Sequence, residues 1–375
     1  MASSESVRAA VFRGVDAPLA VERITLDPPG PTEVRVRMAA VGLCHTELHV
    51  LRGEQAVGMT PMVLGHEGAG IVEAVGDRVH DIVVGDHVAL TWLPACGRCS
   101  ACAKGNHHRC VESSRITAGP QLDGTYRRRD RTGAEVGGFC LVGAFAEQTV
   151  VDQASVVVVD RGLPFEVVAL AACGVPGGFG AVTHAAGVRP GDSVLVIGAG
   201  GTGMSAIQAA RLSGAGRIIA ADVQEWKLAQ AERFGATDTV VVRAPDELAH
   251  QVVELTGGTG VDYAFVCVGA DDALPQAIRA TAKGGTIVIT GLIPSSVDRI
   301  SVAPIELQRG QKTVIGSAYG SISQRVGIPE VLRHYESGRL DIAGLVSRSY
   351  RLDDIATAYE DLAAGRNLRG MLRFD

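Results

Sequence analysis

The chain shows two kinds of hydrophobic pattern, one after the other. In residues 1–160, short runs of alternating or mostly apolar positions are separated by glycine and proline, which is typical of β-strands joined by tight turns. Four such runs are predicted to be strands: Val34–Val41, Gly70–Val75, Asp86–Leu90 and Phe145–Val159. We therefore expect an antiparallel and partly barrel-like first region.

From about Val175, apolar runs alternate with glycine loops and with segments of helical periodicity. Strands followed by helices are predicted at Ser193–Ile197 and Gly201–Ser213, at Arg217–Ala221 and Glu225–Phe234, and at Asp238–Val242 and Asp246–Leu255. Two further strands are predicted at Val261–Val266 and Thr286–Thr290. This alternation is typical of a parallel, doubly wound sheet.

The last part of the chain is helical in pattern before a final strand. Helices are predicted at Gln324–Ser337 and Leu352–Leu362, and an apolar strand at Met371–Phe374. We expect this segment to return to the first domain.

Composition and charge narrow the class of protein. Hydrophobic residues make up 46% of the 375 positions, so the chain can bury a large core. Lys and Arg number 35 against 41 Asp and Glu, a formal net charge of −6, which does not favour a nucleic-acid-binding face. Neither a signal peptide nor an apolar stretch near the roughly 20 residues of a membrane span is recognised. We expect a cytoplasmic protein with no membrane or nucleic-acid partner.

A run of arginines interrupts the first region. Arg127, Arg128, Arg129 and Arg131 lie in a polar stretch flanked by glycine. Because charge runs usually line a solvated face, we interpret this run as a solvated hairpin rather than a binding patch.

A strand, a glycine loop and a helix follow one another in residues 194–212. The loop is Gly198-Ala199-Gly200-Gly201-Thr202-Gly203. Such glycines permit a tight turn, the approach of a pyrophosphate to the backbone and close packing of the helix, whose N-terminus offers amide groups to the anion. Asp222, at the end of the next strand, is placed to bind both ribose hydroxyls, and its charge disfavours a 2′-phosphate. The pattern predicts an NAD site.

Four of the eight cysteines are clustered: Cys96, Cys99, Cys102 and Cys110. Four thiolates close a tetrahedral shell around zinc and leave no open position, which is typical of a structural site. His107 and His108 lie inside this lobe. They are not needed as ligands, and we expect them at the surface.

Three further residues of metal-ligand type are dispersed along the chain: Cys44, His66 and Cys173. Together with the cysteine lobe, the glycine loop and Arg369 ahead of the final strand, they stand in the order found in one family. The chain resembles, over essentially its whole length, the zinc-containing alcohol dehydrogenases of the medium-chain dehydrogenase/reductase family. Within it, the chain is most similar to the branch of the class I and class III enzymes and the bacterial aryl and allylic alcohol dehydrogenases.

This resemblance implies an α/β fold in which a Rossmann domain, a doubly wound parallel sheet, is joined to a GroES-like β-barrel catalytic domain. The implied domains are residues 1–174 (catalytic, with the structural zinc lobe at about 92–113), 175–318 (NAD-binding) and 319–375 (the segment that returns to the catalytic domain). The resemblance also implies a homodimer, with a tetramer as the alternative, paired along an edge at about Ile300–Ser317.

The resemblance also assigns roles. Cys44, His66 and Cys173 would hold a catalytic zinc that polarises the alcohol oxygen, which gives two zinc ions per chain. Thr46 would take the alcohol proton, His49 would pass it to solvent, and Glu67 would tune the zinc field from outside the shell. The residues that match the family's cofactor-binding positions are His45, Gly198, Gly200, Gly201, Thr202, Gly203, Asp222, Lys227, Val268 and Arg369.

The positions that match the family's substrate pocket are Trp92, Phe139, Cys140, Leu292 and Ala318. An apolar pocket favours a primary alcohol (aliphatic, allylic or aromatic) and its aldehyde. The alternative is a thiol adduct of formaldehyde, made with glutathione or mycothiol. Gln55 and Val57 stand where the glutathione-dependent enzymes carry acids, and His49 replaces their tyrosine, so glutathione is the less favoured thiol.

Two departures from the family pattern keep other functions open. Pro176-Gly177-Gly178 replaces the common Ser-Thr-Gly, and Thr202 replaces a valine. Some bacterial relatives keep NAD permanently bound and pass hydride to an external acceptor, and such a nicotinoprotein is a second alternative. A third, of another class, is a non-catalytic protein that binds zinc and NAD.

Overall fold

The structure, a computed structural model, describes residues 4–15, 17–244 and 247–374. Asp246, which was predicted to begin a helix, lies outside the described residues.

The strands, in chain order, are β1 (Glu5–Phe12), β2 (Ala20–Leu26), β3 (Glu33–Gly42), β4 (Met62–Val63), β5 (Glu67–Val75), β6 (His87–Leu90), β7 (Arg128–Arg129), β8 (Glu135–Gly138), β9 (Gln148–Asp152), β10 (Val156–Val159), β11 (Ser193–Ile197), β12 (Arg217–Asp222), β13 (Asp238–Val241), β14 (Val261–Val266), β15 (Thr281–Ile289), β16 (Thr313–Gly316), β17 (Val346–Tyr350) and β18 (Arg369–Arg373). The helices are α1 (His45–Leu51), α2 (Ser100–Ala103), α3 (Phe165–Leu170), α4 (Gly174–Gly180), α5 (Gly201–Leu212), α6 (Glu225–Phe234), α7 (Glu247–Leu255), α8 (Ala273–Ala280), α9 (Pro304–Gly310), α10 (Gln324–Glu336) and α11 (Ile355–Ala363). In the described part of the chain, no helix is long and apolar enough to cross a membrane.

The chain divides into two compact units. The first consists of Met1–Cys173, Ser323–Leu332 and Ile342–Asp375, and the second of Gly174–Ile322 and Arg333–Asp341.

The first unit contains a closed barrel and a larger sheet. The barrel has the strand order β1-β2-β7-β8-β4, and the sheet has the order β10-β6-β5-β3-β18-β17, with β9 also paired to β3. Apolar residues at alternate positions of β3 point into the shared core, among them Val34, Val36 and Met38. The C-terminal strand β18 runs antiparallel to β3, with Met371 opposite Gly42. The last strand therefore lies beside the strand that leads to Cys44.

The second unit is built on one six-stranded sheet in the order β13-β12-β11-β14-β15-β16. All its neighbouring pairs are parallel, and the order reverses between β11 and β14, which is the switch point of a Rossmann sheet. Its inner strands are almost continuously apolar because parallel strands are covered on both faces. The barrel and this sheet together confirm the predicted fold class.

Two features differ from the sequence-based prediction. The predicted strand Phe145–Val159 is two strands, β9 and β10, because Asp152 Oδ1 accepts the N–H of Ala154 (2.8 Å) and turns the chain between them. Residues 319–322 and 333–341 and also Gly174, predicted to belong with the first domain, lie in the second unit. There the His334 ring lies 5.4 Å from the Phe179 ring.

The arginine run forms a hairpin, but the expectation that it is solvated is wrong for Arg128, and Arg127, whose side chain is only 13% exposed, is largely covered as well. β7 and β8 pair antiparallel across the turn. Successive side chains of a strand point to opposite faces, so Arg128 enters the barrel and is only 1% exposed, whereas the Arg129 side chain is 40% exposed.

Candidate active site

Strand β3 delivers Cys44 to the start of α1. Cys44 is the N-cap residue and keeps extended backbone angles (φ −117°, ψ 154°), so the helix begins directly after it. Its Sγ lies 3.4 Å from Thr46 Oγ1 in the first turn. Glu47 in the same turn is fully buried, and His49 lies in the last turn. One short helix thus carries a thiol, a hydroxyl, a carboxylate and an imidazole.

His66 precedes β5 and is held by a buried carboxylate. Its Nδ1 donates to Glu47 Oε1 at 2.5 Å. A histidine fixed in this way through Nδ1 presents Nε2 to a metal. Nε2 lies 4.0 Å from the nearest oxygen of the next residue, Glu67.

These side chains converge with a fourth. One ligand atom each from Cys44, His66, Glu67 and Cys173 lies within 4.8 Å of the others. Atoms bound to zinc at about 2.0–2.3 Å lie less than about 4 Å apart in a tetrahedral shell, so small adjustments would suffice for binding. A set of two thiolates and an imidazole binds zinc in preference to harder cations such as magnesium or calcium.

The groups of the cluster shift one another's pKa values strongly. A hydrogen bond from Cys173 and the nearby His66 hold the pKa of Cys44 well below its usual value, and the same bond raises the pKa of Cys173. Burial alone would lower the pKa of His66, but Glu47 and Cys44 outweigh it and raise that pKa well above its usual value. Positive charge is therefore favoured at the centre of the cluster, whether it is carried by a proton or by a metal ion.

The four clustered cysteines also converge. Their sulfur atoms lie within 4.8 Å of one another, and Cys96 Sγ is 4.0 Å from Cys102 Sγ. Backbone N–H groups point at two of the sulfurs: Cys102 N donates to Cys99 Sγ (3.5 Å) and Cys96 N to Cys110 Sγ (3.4 Å). The first of these bonds helps to lower the pKa of Cys99 to about 6. Four thiols without an open position fit a structural zinc.

The expectation that His108 lies at the surface is wrong. Its side chain is buried, and desolvation, together with the charge of Arg109, lowers its pKa. The segment that begins α10 packs over this lobe: His107 Nδ1 is 2.7 Å from Ser323 Oγ, and Gln324 Nε2 donates to Leu93 O (2.7 Å). That contact comes from a part of the chain more than 200 residues away, so no local pattern indicates it.

In the second unit, the glycine loop joins β11 to α5 at the switch point. Gly198 has a φ of 96°, in the left-handed region. A Cβ on Gly203 would lie 1.8 Å from Gly198 O, so only glycine lets the helix pack this closely. A Cβ on Gly200 would meet no atom within 4 Å, so the loop is open on that side. Gly201 and Thr202 begin α5, and the unpaired N–H groups of a helix N-terminus are suited to bind an anion.

Asp222 lies beside this loop. Its Oδ2 accepts from Ala199 N (2.7 Å) and its Oδ1 from Gln224 N (2.9 Å), which orients the carboxylate at the end of β12. Each oxygen retains a lone pair for a ribose hydroxyl. Val268 packs against Gly198: its Cβ lies 3.1 Å from the position that a Cβ on Gly198 would occupy. The Lys227 ammonium lies 5.9 Å from the centroid of the adjacent Trp226 ring.

The predicted pocket residues are distributed over both units. Around His66, the Trp92 ring lies 6.4 Å and the Phe139 ring 6.2 Å away, both edge-on. Cys140 follows and is buried. Leu292 and Ala318 belong to the second unit.

Two cofactor residues predicted from the resemblance lie in the first unit. His45 starts α1, and Arg369 starts β18. The Arg369 guanidinium is buried and its Nη2 donates to Glu67 Oε2.

Comparison with known proteins identifies the family. Residues 30–161 match the alcohol dehydrogenase GroES-like domain, and residues 201–337 match the zinc-binding dehydrogenase domain. An NDMA-dependent alcohol dehydrogenase of Amycolatopsis methanolica is 37% identical over 367 residues, covering 97% of this chain and 98% of the relative. The S-(hydroxymethyl)glutathione dehydrogenase of Saccharomyces cerevisiae is 38% identical over 374 residues, covering 98% and 96%.

A solved structure agrees with these matches. The crystal structure of benzyl alcohol dehydrogenase from Acinetobacter calcoaceticus has a TM-score of 0.92 at 32% identity, covering 99% of this chain and 100% of the other. The chain belongs to the zinc-containing alcohol dehydrogenases of the medium-chain dehydrogenase/reductase family. The resemblance stated from the sequence is thereby confirmed.

This alcohol dehydrogenase has two acidic residues at the site that the sequence analysis missed. One is Glu47, which holds His66. The other is Glu54, whose Oε2 lies 2.6 Å from His49 Nδ1. The backbone N–H of Glu54 donates to His49 O (2.8 Å), so the turn after α1 brings the carboxylate back to the histidine. The spacing of three residues from Cys44 indicates that Glu47 lies on the same helix turn. Its partner His66 is 19 positions away, so the sequence does not show the pairing.

Proposed function

We propose that this alcohol dehydrogenase interconverts a primary alcohol and its aldehyde, with NAD as the hydride acceptor or donor. The observation that carries the proposal is the convergence of Cys44, His66 and Cys173 beside the hydroxyl of Thr46. A buried set of two thiols and an imidazole leaves one position of a tetrahedral shell for the substrate oxygen.

In this proposal Cys44, His66 and Cys173 hold the catalytic zinc, which, when bound, polarises an alcohol oxygen and lowers its pKa. Glu67 belongs to the same cluster, but the guanidinium of Arg369 engages its carboxylate. We therefore assign Glu67 the task of tuning the field at the site rather than ligating. The four thiols of the lobe hold the second, structural zinc, which makes two zinc ions per chain.

Side chains of α1 carry the proton of the alcohol to solvent. Thr46 Oγ1, 3.4 Å from a ligand sulfur, is the first acceptor. His49 lies three positions further on, hence on the same face of the helix, and its side chain is 15% exposed, so it can exchange protons with water. Glu54 fixes the His49 ring through Nδ1 and leaves Nε2 to carry the proton.

NAD rather than NADP is proposed as the cofactor because Asp222 would repel a 2′-phosphate. Gly198, Gly200 and Thr202 would cradle the pyrophosphate, and Lys227 would approach the adenosine ribose. His45, Val268 and Arg369 complete the proposed cofactor set.

We further propose that the enzyme pairs as a homodimer along β16. This strand is the outer strand of the six-stranded sheet, and its Val314 is 38% exposed. An unpaired, partly apolar edge is a favourable surface for the same edge of a second copy.

The rings of Trp92 and Phe139 beside His66 support an apolar substrate, such as an aromatic or aliphatic primary alcohol. Similarity to a benzyl alcohol dehydrogenase points the same way. A second candidate is a nicotinoprotein that keeps NAD bound and reduces an external acceptor, because one of the similar enzymes is NDMA-dependent.

One panel of assays tests these functions. The zinc-loaded enzyme is mixed with NAD and with ethanol, allyl alcohol or benzyl alcohol, and NADH absorbance is followed. Parallel samples contain NAD and formaldehyde with glutathione or with mycothiol, and others contain an alcohol and the dye NDMA without added NAD.

We expect NADH from at least one free alcohol. NADH only with a thiol and formaldehyde would show the thiol-dependent reaction instead, and reduction of the dye alone would show the nicotinoprotein. No reaction in any sample would contradict an enzymatic function.

A further inference from the structure

Arg128 is a buried cation in the β-barrel without a carboxylate of its own. Among the described residues, the acid whose charge acts on it is Glu33, which is paired with Arg127. Burial lowers the pKa of Arg128 to about 10. Burying a charge without a charged partner costs free energy, and a methionine or leucine of similar volume would avoid that cost. The hydrogen bonds of Arg128 must therefore have a role other than filling space.

The guanidinium binds one end of a turn. Nη2 donates to Val142 O (2.7 Å) and to Thr149 Oγ1 (2.6 Å), and Thr149 Oγ1 is also 2.6 Å from Val142 O. A Cβ on Gly138 would lie 2.5 Å from Nη1, and one on Gly143 would lie 2.9 Å from Nη2. Two glycines therefore leave the space that the guanidinium fills.

The turn that it binds has an unfavourable backbone. Cys140 (φ 56°) and Leu141 (φ 62°) are both left-handed, a conformation that residues with a Cβ rarely adopt. Phe139 O accepts from both Val142 N and Gly143 N, each at 3.0 Å. Such strain persists only where surrounding contacts enforce it, and Arg128 supplies a contact at the carbonyl of Val142, the residue whose N–H closes the turn on Phe139 O.

The same turn lies beside the metal cluster. The Phe139 ring meets the His66 ring edge-on at 6.2 Å, and Cys140 is buried next to it. A shift of this turn would therefore move both side chains relative to the metal ligands.

We propose that Arg128 is a specificity-determining positioning residue. It holds the turn Phe139–Leu141 so that Phe139 and Cys140 form a fixed wall beside the metal cluster. Arg128 itself does not touch the substrate. The proposal rests on the proposed function, because it treats this wall as part of the alcohol pocket.

Three variants test the proposal. Arg128→Met removes the hydrogen bonds and keeps the volume. Thr149→Val removes the second contact to Val142 O and leaves the charge in place. Arg129→Met is the matched control, because Arg129 lies on the same strand and points out of the barrel.

Each zinc-loaded variant is measured in two ways. Amide hydrogen exchange is followed in a peptide that covers residues 139–143, and kcat/KM is determined for benzyl alcohol and for ethanol. We expect R128M to speed exchange in this peptide by more than about tenfold. We also expect it to change the ratio of the two kcat/KM values by more than about tenfold, mainly through the KM of benzyl alcohol.

Thr149→Val should act in the same direction, and Arg129→Met should change neither quantity. Unchanged exchange and an unchanged ratio in R128M would overturn the proposal, and so would faster exchange with an unchanged ratio. If R128M does not fold, Thr149→Val decides by the same criteria. If the parent enzyme oxidises no free alcohol of the panel, the specificity role falls with the proposed function, and hydrogen exchange still decides the positioning role.

Discussion

Arg369 and Glu67 are 302 positions apart in the sequence and form a buried ion pair, in which Arg369 Nη2 donates to Glu67 Oε2. Arg369 begins β18, which pairs with β3, and β3 pairs with β5, where Glu67 follows the metal-ligand candidate His66. The pair thus joins the C-terminal strand to the metal cluster.

Removing Arg369 should be costly. Arg369→Met leaves the fully buried Glu67 without its partner, and we expect it to lower the free energy of unfolding by about 3–5 kcal/mol. The double variant R369M/E67Q removes both charges and should recover most of this loss. The quantity is measured by urea unfolding of the zinc-loaded protein.

The matched control for this prediction is Arg37→Met. Arg37 pairs with Glu73 across β3 and β5 at 3.0 Å, but the two side chains are 47% and 30% exposed. An exposed pair is worth less than about 1 kcal/mol. Equal losses for Arg369→Met and Arg37→Met would contradict the buried pair.

Asp361 predicts a pH dependence of stability. Tyr350 Oη and Arg366 Nε donate to its carboxylate, each at 2.6 Å, and hold the pKa of Asp361 below the usual 3.8. Because the folded pKa lies below the unfolded pKa, the ionised carboxylate stabilises the protein above the unfolded value, and this stabilisation is lost as the pH falls through the folded pKa.

Asp361→Asn should therefore destabilise the protein most at about pH 7 and least below about pH 3. The measurement is the difference in urea midpoint between the parent protein and the variant across that range. Asp298→Asn, at an exposed pair with Arg299, is the control and should show a small difference at every pH. A penalty for Asp361→Asn that does not change with pH would refute the prediction.

The features that the sequence indicates by spacing alone are local. The glycine loop and the four-cysteine lobe each lie in a short segment, so spacing alone indicates them, whereas Asp222 reaches the loop through the pairing of β12 with β11. Cys44, His66 and Cys173 come from three separate elements, and only the family resemblance joined them.

What the sequence did not indicate depends on contacts between distant segments. The pairing of Glu47 with His66 joins α1 to the segment that leads into β5. A run of arginines is expected to face water, yet the alternation of β7 and the space left by Gly138 and Gly143 place Arg128 inside. His107, beside the buried His108, contacts Ser323, which is 216 positions away in the sequence.

The zinc content of cysteine variants tests the two ligand sets independently. We expect two zinc ions per parent chain and about one in Cys44→Ser and in Cys110→Ser, because each substitution breaks one ligand set. Cys267→Ser, outside both clusters, should keep two. Elemental analysis after loading and gel filtration gives these values, and Cys44→Ser with two zinc ions would show that the catalytic ligands are wrongly assigned.

Asp222 should set the cofactor preference. Asp222→Ser removes charged hydrogen bonds worth about 1.5–3 kcal/mol each, so KM for NAD should rise by at least about tenfold and the preference over NADP should shrink. The control is Asp262→Asn, because Asp262 binds Ser193 at the opposite end of β11. Steady-state kinetics with both cofactors measures the effect, and an unaltered NAD/NADP ratio in Asp222→Ser would exclude Asp222 as the determinant.

The central claim is that hydrogen leaves the alcohol carbon as hydride and arrives on NAD. It is tested most directly with benzyl alcohol carrying deuterium at both carbinol positions, the zinc-loaded enzyme and NAD, followed by mass spectrometry of the cofactor released by denaturation. The account predicts reduced cofactor that carries one deuterium, together with benzaldehyde that retains the other. Reduced cofactor without deuterium, or aldehyde formed while the cofactor stays oxidised and unlabelled, would contradict it.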